Sequence, residues 1–362
     1  MRKLFVLIAA VAFVAAFTAP AFAAEWSFYG SARITTFWGA NSDERAPTGD
    51  DDTDLSHTLQ GNSRIGANVK AGEIMGQFEY GTGVNTRILW GEYDFGGWQL
   101  GLGQTYSPVN FFASNQVFGS DNDMLNYGGV YSGRNPMVRV KFGGFQVALL
   151  EPGKNTGGLE GDLRDLAVDE GLEVGNVDTD VIFPKIEARY NFSMGGFLVE
   201  VGGGWNTVDA VAEVEGDEEE ETIDSYIVYL GGKYNAGPFY FGGDVFWGKN
   251  IGNYGMYVEG NAFATLDEDG DLEDCDSWGF LAVVGFTMND MIRFEGGYGQ
   301  AEHDADFESE DEVVSYYIQA TINLAKGFFI VPEIGYVDFK DGPDGEDQGD
   351  TTYYGLKWQI NF

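Results

Sequence analysis

The segment Tyr316-Tyr317-Ile318-Gln319-Ala320-Thr321-Ile322-Asn323-Leu324 decides the fold. Its odd-numbered positions carry Tyr317, Gln319, Thr321 and Asn323, and its even-numbered positions are apolar. A period of two puts these rows on opposite faces of an extended strand. A tight turn, Ala325-Lys326-Gly327, follows at once. Upstream, Trp278-Gly279-Phe280-Leu281-Ala282-Val283-Val284-Gly285-Phe286 repeats the pattern, with a bulky even row and an odd row that includes glycines. Helical spacing is hard to find beyond the first residues. The chain reads as strands with one greasy and one wet face.

Working outward from these segments, the connections alternate in length. Short turns are expected at Ala71-Gly72, Gly96-Gly97, Gly143-Gly144, Met194-Gly195-Gly196, Asn235-Ala236-Gly237-Pro238, Met288-Asn289-Asp290 and Ala325-Lys326-Gly327. Gly, Asn and Asp supply the positive φ that tight hairpins need. Eight other connections, mostly long and acidic, are expected near 39–57, 81–85, 105–134, 152–180, 208–222, 249–277, 301–312 and 340–350. Seven turns and eight loops join sixteen strands with both ends on one side. That is the layout of a 16-stranded antiparallel transmembrane β-barrel with short periplasmic turns and mostly long extracellular loops. A soluble sandwich also alternates, but here aromatics such as Phe95, Trp98, Phe142, Phe192 and Phe197 crowd the strand ends beside the turns, where a membrane interface needs a belt.

The amino end agrees. Arg2 and Lys3, an apolar run Leu4–Phe17 and the small-residue site Ala21-Phe22-Ala23 form a signal peptide over 1–23, with the barrel in 24–362. The composition of 20 Lys+Arg against 58 Asp+Glu gives a net charge of −38, the wrong sign for a nucleic-acid binder. After residue 23 no run of eighteen apolar residues exists, which excludes a helical span. A single cysteine, Cys275, excludes an internal disulfide framework. We read it as incidental, with intermolecular pairing as the lesser alternative. His57 and His303, the only histidines, leave no histidine-based metal cluster or triad. No GxSxG, HExxH or P-loop is present, so an enzyme is not expected.

Most of the acids fall in the loops, so the net charge belongs to the rim and the wall is near neutral. The wall's basic residues keep mostly to the wet row: Arg33 lies between Ala32 and Ile34, and Arg64 is in step with Asn62, Asn68 and Lys70. Such groups facing lipid at midplane would cost about 2–4 kcal/mol, which favours an aqueous lumen. Asp267-Glu268-Asp269-Gly270-Asp271 is not an EF-hand loop, because its glycine comes too early. No cofactor is expected. Crowded carboxylates could still share a divalent cation weakly, or simply solvate the rim.

Tyr354-Gly355-Leu356-Lys357-Trp358-Gln359-Ile360-Asn361-Phe362 resembles the terminal assembly signal of outer-membrane proteins, with Leu356, Trp358, Ile360 and Phe362 on one face. Recognition by the barrel-assembly machinery follows from that resemblance. Leu100-Gly101-Leu102-Gly103-Gln104-Thr105-Tyr106-Ser107-Pro108 is similar to the glycine-rich fifth strand of the general trimeric porins of Gram-negative bacteria, and the architecture resembles the homotrimeric porins of sulfate-reducing bacteria. Gly103 stands where many relatives carry Arg, and the second loop, 81–85, is short for a latch onto a neighbour. The resemblance implies a homotrimer among outer-membrane lipid and lipopolysaccharide that passes small hydrophilic solutes and ions through a water-filled pore. It also implies that the third loop, 105–134, folds into the lumen. Its acids Asp121 and Asp123 are then expected opposite Arg33, Arg64 and Arg87 as a pore constriction, or else they solvate an external loop.

Two rivals remain open at this stage: a substrate-specific channel using Phe111, Phe112, Phe118, Tyr127 and Tyr131, and a plugged adhesive barrel whose acidic loops engage a partner. Small outward residues, Gly30 and Ala32 on the first strand and Gly61, Ser63, Ile65 and Ala67 on the second, suggest a close trimer contact. Bulky late rows, such as Phe239, Phe241 and Trp247, suit lipid. Glycines that merely relieve strand curvature are the alternative reading.

Overall fold

The computed structural model describes residues 24–46, 52–157, 159, 163, 174–181, 183–214, 217–267, 270–305, 310–340, 342 and 345–362. The signal segment 1–23 lies outside them, as do parts of the acidic runs around 50–51, 268–269 and 306–309. Sixteen strands form one barrel: β1 Glu25–Asn41, β2 Asp52–Leu59 continued by Arg64–Ala71, β3 Ile74–Tyr80, β4 Thr86–Asp94, β5 Gln99–Tyr106, β6 Arg134–Phe142, β7 Phe145–Leu150 and β8 Val174–Asp180 continued by Lys185–Met194 make the first half. The second half is β9 Phe197–Val214, β10 Asp217–Ala236, β11 Phe239–Lys249, β12 Cys275–Thr287, β13 Ile292–Ala305, β14 Asp311–Ala325, β15 Phe328–Asp338 and β16 Asp350–Asn361. Each strand pairs antiparallel with its successor, and β1 pairs with β16 from Ser31↔Asn361 to Asn41↔Thr351. That closure removes the sheet edges and sets aside the sandwich.

The alternation read from the sequence is the barrel's inside–outside alternation. Tyr316, Ile318 and Leu324 are exposed on the outer face, while Tyr317 and Gln319 are buried inside. All seven expected short turns are present. The belt is there too: Phe95 stacks on Trp98 at 4.2 Å, and Phe142, Phe192, Phe197 and Phe239 are exposed beside their turns.

The loop boundaries need correction. The segment 208–222 is not a loop: β9 and β10 remain paired to Val214↔Asp217, so the acids Asp217–Glu221 sit in strand. At roughly 3.3 Å per residue, the 18- and 20-residue strands of this hairpin far exceed a bilayer's apolar band and project from it. Strands likewise extend into the expected loops at 39–57 and 301–312. Cys275 opens β12 and is 1% exposed, so intermolecular pairing is closed to it.

The small outward patch also changes. Between Leu59 and Arg64 the chain leaves its ladder with β1, spending four residues where β1 spends two (Ile34↔Leu59, then Ser31↔Arg64). Gly61 and Ser63 fall in this irregular stretch, not on an outward row. Gly61 lies against Ser120 of the third loop, and the Ser63 hydroxyl bonds the Arg33 backbone. Gly30, Ala32, Ile65 and Ala67 do face outward. However, the Phe362 ring lies over Gly30, and Ala67 is fully covered between its opposed neighbours Phe28 and Phe78. Early strands also expose Trp26, Phe28, Leu55 and Leu59, so the contrast between small early rows and bulky late rows is narrower than expected.

The apolar core lies inside the barrel. Val109, Phe111, Val117, Met124 and Val130 of the third loop pack on Tyr229, Phe246, Leu281, Val283 and Tyr317 of the late strands.

Candidate functional site

Among the described residues, two connections run far into the lumen. The third loop, 107–133, crosses it, and the loop 250–274 follows with Ile251, Gly252, Asn253 and Tyr254 all buried. Inward glycines on the late strands make the room. A side chain at Gly231 would strike the Phe111 ring at 2.7 Å, and one at Gly299 would strike the Tyr127 carbonyl at 1.9 Å.

Wall carboxylates hold the loop's backbone. Glu187 on β8 accepts from Val109 N (2.8 Å) and from the Ser132 hydroxyl (2.8 Å). Glu295 on β13 accepts from Asn115 N and Nδ2, both 2.7 Å. Glu333 on β15 accepts from Val117 N (2.8 Å) and Phe118 N (2.9 Å). Backbone N–H groups that would be orphaned in a loop crossing a lumen thus find carboxyl acceptors, and leaving such a buried donor unpaired costs about 1–3 kcal/mol each. The second inward loop is fastened to the same wall, with Tyr254 OH on Glu187 (2.9 Å) and Lys185 Nζ on the Tyr254 carbonyl (2.9 Å).

The loop's tip is strained. Gly119, Ser120, Asp121, Asp123 and Met124 all have positive φ, a region costing non-glycine residues about 1–2 kcal/mol each. Gln116, fully buried, holds the tip in shape. Its carbonyl accepts from Asp123 N (3.3 Å), its Oε1 accepts from Met124 N (3.1 Å), and its Nε2 donates to Tyr353 OH (2.9 Å).

This backbone presents Asp121 and Asp123 to a cavity of about 400 Å³ that Arg33, Arg64, Arg134 and Lys357 also line. Asp121 pairs with Arg33 and, at 2.7 Å, with Lys357. Arg64 reaches the cavity, held by Asn62 O at 2.9 Å and 3.6 Å from Glu79. Arg87 does not face the loop's acids: its Nε is bound to Glu79 at 2.8 Å in the wall. Burial, and Asp121 beside it, raise the Asp123 carboxyl well above the usual carboxylate range. Of the third-loop aromatics, Phe112 and Tyr131 line the cavity, whereas Phe111 and Tyr127 are turned into the core. Phe118 stacks on Tyr353 at 3.8 Å.

Sequence reading missed Lys357, Gln116 and the three loop-holding glutamates. Lys357 sat on the wet row but inside the assembly-signal stretch. Glu187, Glu295 and Glu333 were visible as wet-row acids, yet nothing local marks a carboxylate as an acceptor for distant backbone.

The family model described as Gram-negative porin matches residues 9–342. Among solved structures, the outer membrane channel DcaP of Acinetobacter baumannii is 18% identical with a TM-score of 0.68, covering 94% of this chain and 97% of that one. The anion-selective porin of Comamonas acidovorans is 12% identical with a TM-score of 0.58, covering 94% and 100%. OmpT of Vibrio cholerae in its trimer form is 14% identical with a TM-score of 0.56, over 94% and 100%. At these identities the likeness is one of fold. No curated protein matches.

Proposed function

The chain belongs to the Gram-negative porin family, and on that premise we propose how its lumen sorts what it passes. It is an outer-membrane porin for the passive diffusion of small hydrophilic solutes and ions, and family and fold point to a channel rather than an enzyme. In our reading the cavity bounded by Asp121 and Asp123 on the loop, and by Arg33, Arg64 and Lys357 on β1, β2 and β16, is the pore constriction. The infolded loop tip facing these three bases is the observation that carries it. Opposed charges across a narrow water-filled opening set up a transverse field that orients dipolar solutes and resists apolar ones.

The protomer is proposed to work as a homotrimer, seated among lipid and lipopolysaccharide, after export with cleavage behind Ala23 and assembly guided by Leu356, Trp358, Ile360 and Phe362. The outward row of these last residues, with Trp358, Ile360 and Phe362 exposed, is consistent with presentation to an assembly machinery. Weak sharing of divalent cations among the rim carboxylates remains part of the proposal. Reconstitution in planar bilayers tests it. Discrete conductance steps with a reversal potential that responds to the charge at Arg33 and Arg64 are expected; their absence would defeat this reading.

A further inference from the structure

Strand β6 twice sets a guanidinium against an aromatic face. Beside the loop tip, Arg134 lies over the Tyr106 ring at 5.3 Å and donates to its hydroxyl at 3.2 Å. Tyr106, Phe112 and Tyr131 contact one another with ring centroids 5.4 to 6.4 Å apart, and Tyr257 adds a fourth ring at 6.3 Å from Tyr131. Farther along β6, Arg139 lies over the Trp90 ring at 4.6 Å, lining a second cavity of about 650 Å³ beside the short-turn end of β2 and β3. The two places are linked, since Arg139 Nη1 donates to the Tyr106 carbonyl at 3.3 Å. Five residue steps along the strand separate Arg134 from Arg139, about 16 Å at the rise of an extended chain.

Arg134 differs from the bases at the constriction, and Arg139, like Arg64, is only loosely paired. Arg33 and Lys357 are spent on Asp121, and Arg87 on Glu79. Among the described residues Arg134 has no carboxylate partner. Arg139 has one only at 3.6 Å, on a Glu92 that Lys141 already holds at 2.8 Å. A guanidinium without a carboxylate, as at Arg134, recognises one in a solute in fork geometry, and the loosely paired Arg139 keeps N–H groups free for the same contact. The rings beside it recognise a planar apolar body.

We propose that the lumen is a two-station path for aromatic carboxylates, solutes joining one planar ring to one carboxylate. Arg134 with Phe112 and Tyr131 forms the first station, and Arg139 with Trp90 forms the second. This rests on the porin reading and deepens it: the channel conducts generally, but dwells on this class.

The test is single-channel recording of the full protein in KCl with added benzoate, acetate, cyclohexanecarboxylate, benzyl alcohol or maltotriose. Benzoate is expected to interrupt the current at a concentration roughly ten-fold below that of acetate and of benzyl alcohol. Cyclohexanecarboxylate, which has the charge and bulk but no planar ring, should fall between. Arg134→Gln should raise the benzoate concentration needed roughly ten-fold, and Trp90→Leu should shorten its dwell. Benzoate acting no better than acetate, or maltotriose acting best, would overturn the proposal, and the wild-type comparison alone suffices if a variant does not fold. Absence of any KCl conductance would instead strike the porin reading, so the two failures are distinct.

Discussion

Asp121 anchors the proposed constriction, because two cations from neighbouring strands, Arg33 on β1 and Lys357 on β16, meet on its carboxylate. Replacing both Arg33 and Arg64 by Glu changes the local fixed charge by about −4 and reverses the field these strands present. The reversal potential in a salt gradient should move toward cation selectivity while the barrel stays folded; an unmoved potential in a folded double variant would place these bases away from the narrow point. Asp123 gives a pH signature. Its pKa is raised by burial and by Asp121, so it is neutral in moderately acidic solution and gains a negative charge as pH climbs through the raised value. Cation selectivity should therefore increase with pH across that step. Since the folded state holds the proton more tightly than the unfolded chain, stability should fall over the interval between the ordinary carboxylate pKa and the raised one. Asp123→Asn should abolish both trends, read as reversal potential and melting temperature against pH.

The third loop fills part of the lumen, and it does so by taking hydrogen bonds from the wall. Glu333→Leu removes the acceptor of Val117 N and Phe118 N and leaves two buried donors unpaired, at about 1–3 kcal/mol each. A lower melting temperature, with larger or noisier conductance, is the expected result. Gly299→Val approaches the same element sterically, because its side chain would occupy the place of the Tyr127 carbonyl. It too should enlarge the conductance, with the barrel's heat-modifiable band intact. Unchanged conductance in both variants would mean that the loop is held by other contacts. None of this was legible locally: the sequence showed glycines on the wet row of the late strands, but not that a distant loop would fill the space they leave.

For the whole molecule, closure of β1 on β16 satisfies every strand edge, so the barrel should resist detergent until heated and run as a heat-modifiable band on gels. Of the small outward residues expected at the contact, Ala32 is still open, exposed on β1 opposite Ile360. Ala32→Trp should split the oligomer into folded monomers on mild gels, whereas Ala282→Trp, on the bulky late face, should leave it whole. An intact oligomer in the first variant would assign the contact to other strands.

By itself the sequence determined the strand rows, the turns, the strand number and the side of the wall on which Arg33, Arg64 and Lys357 lie. Those features follow from a period of two and from the φ that turn residues allow, both local to a few neighbours in the chain. Only the tertiary structure decided what each inward group meets. Arg87 met Glu79 on the adjacent strand instead of the third loop's acids, Gly61 met Ser120 of that loop, and Tyr317 with Gln319, polar and inward, met the third loop instead of water. A barrel brings residues far apart in sequence to one cross-section, and which of them touch depends on strand register and on the path of the loop. Neither is written in the alternation that builds the strands.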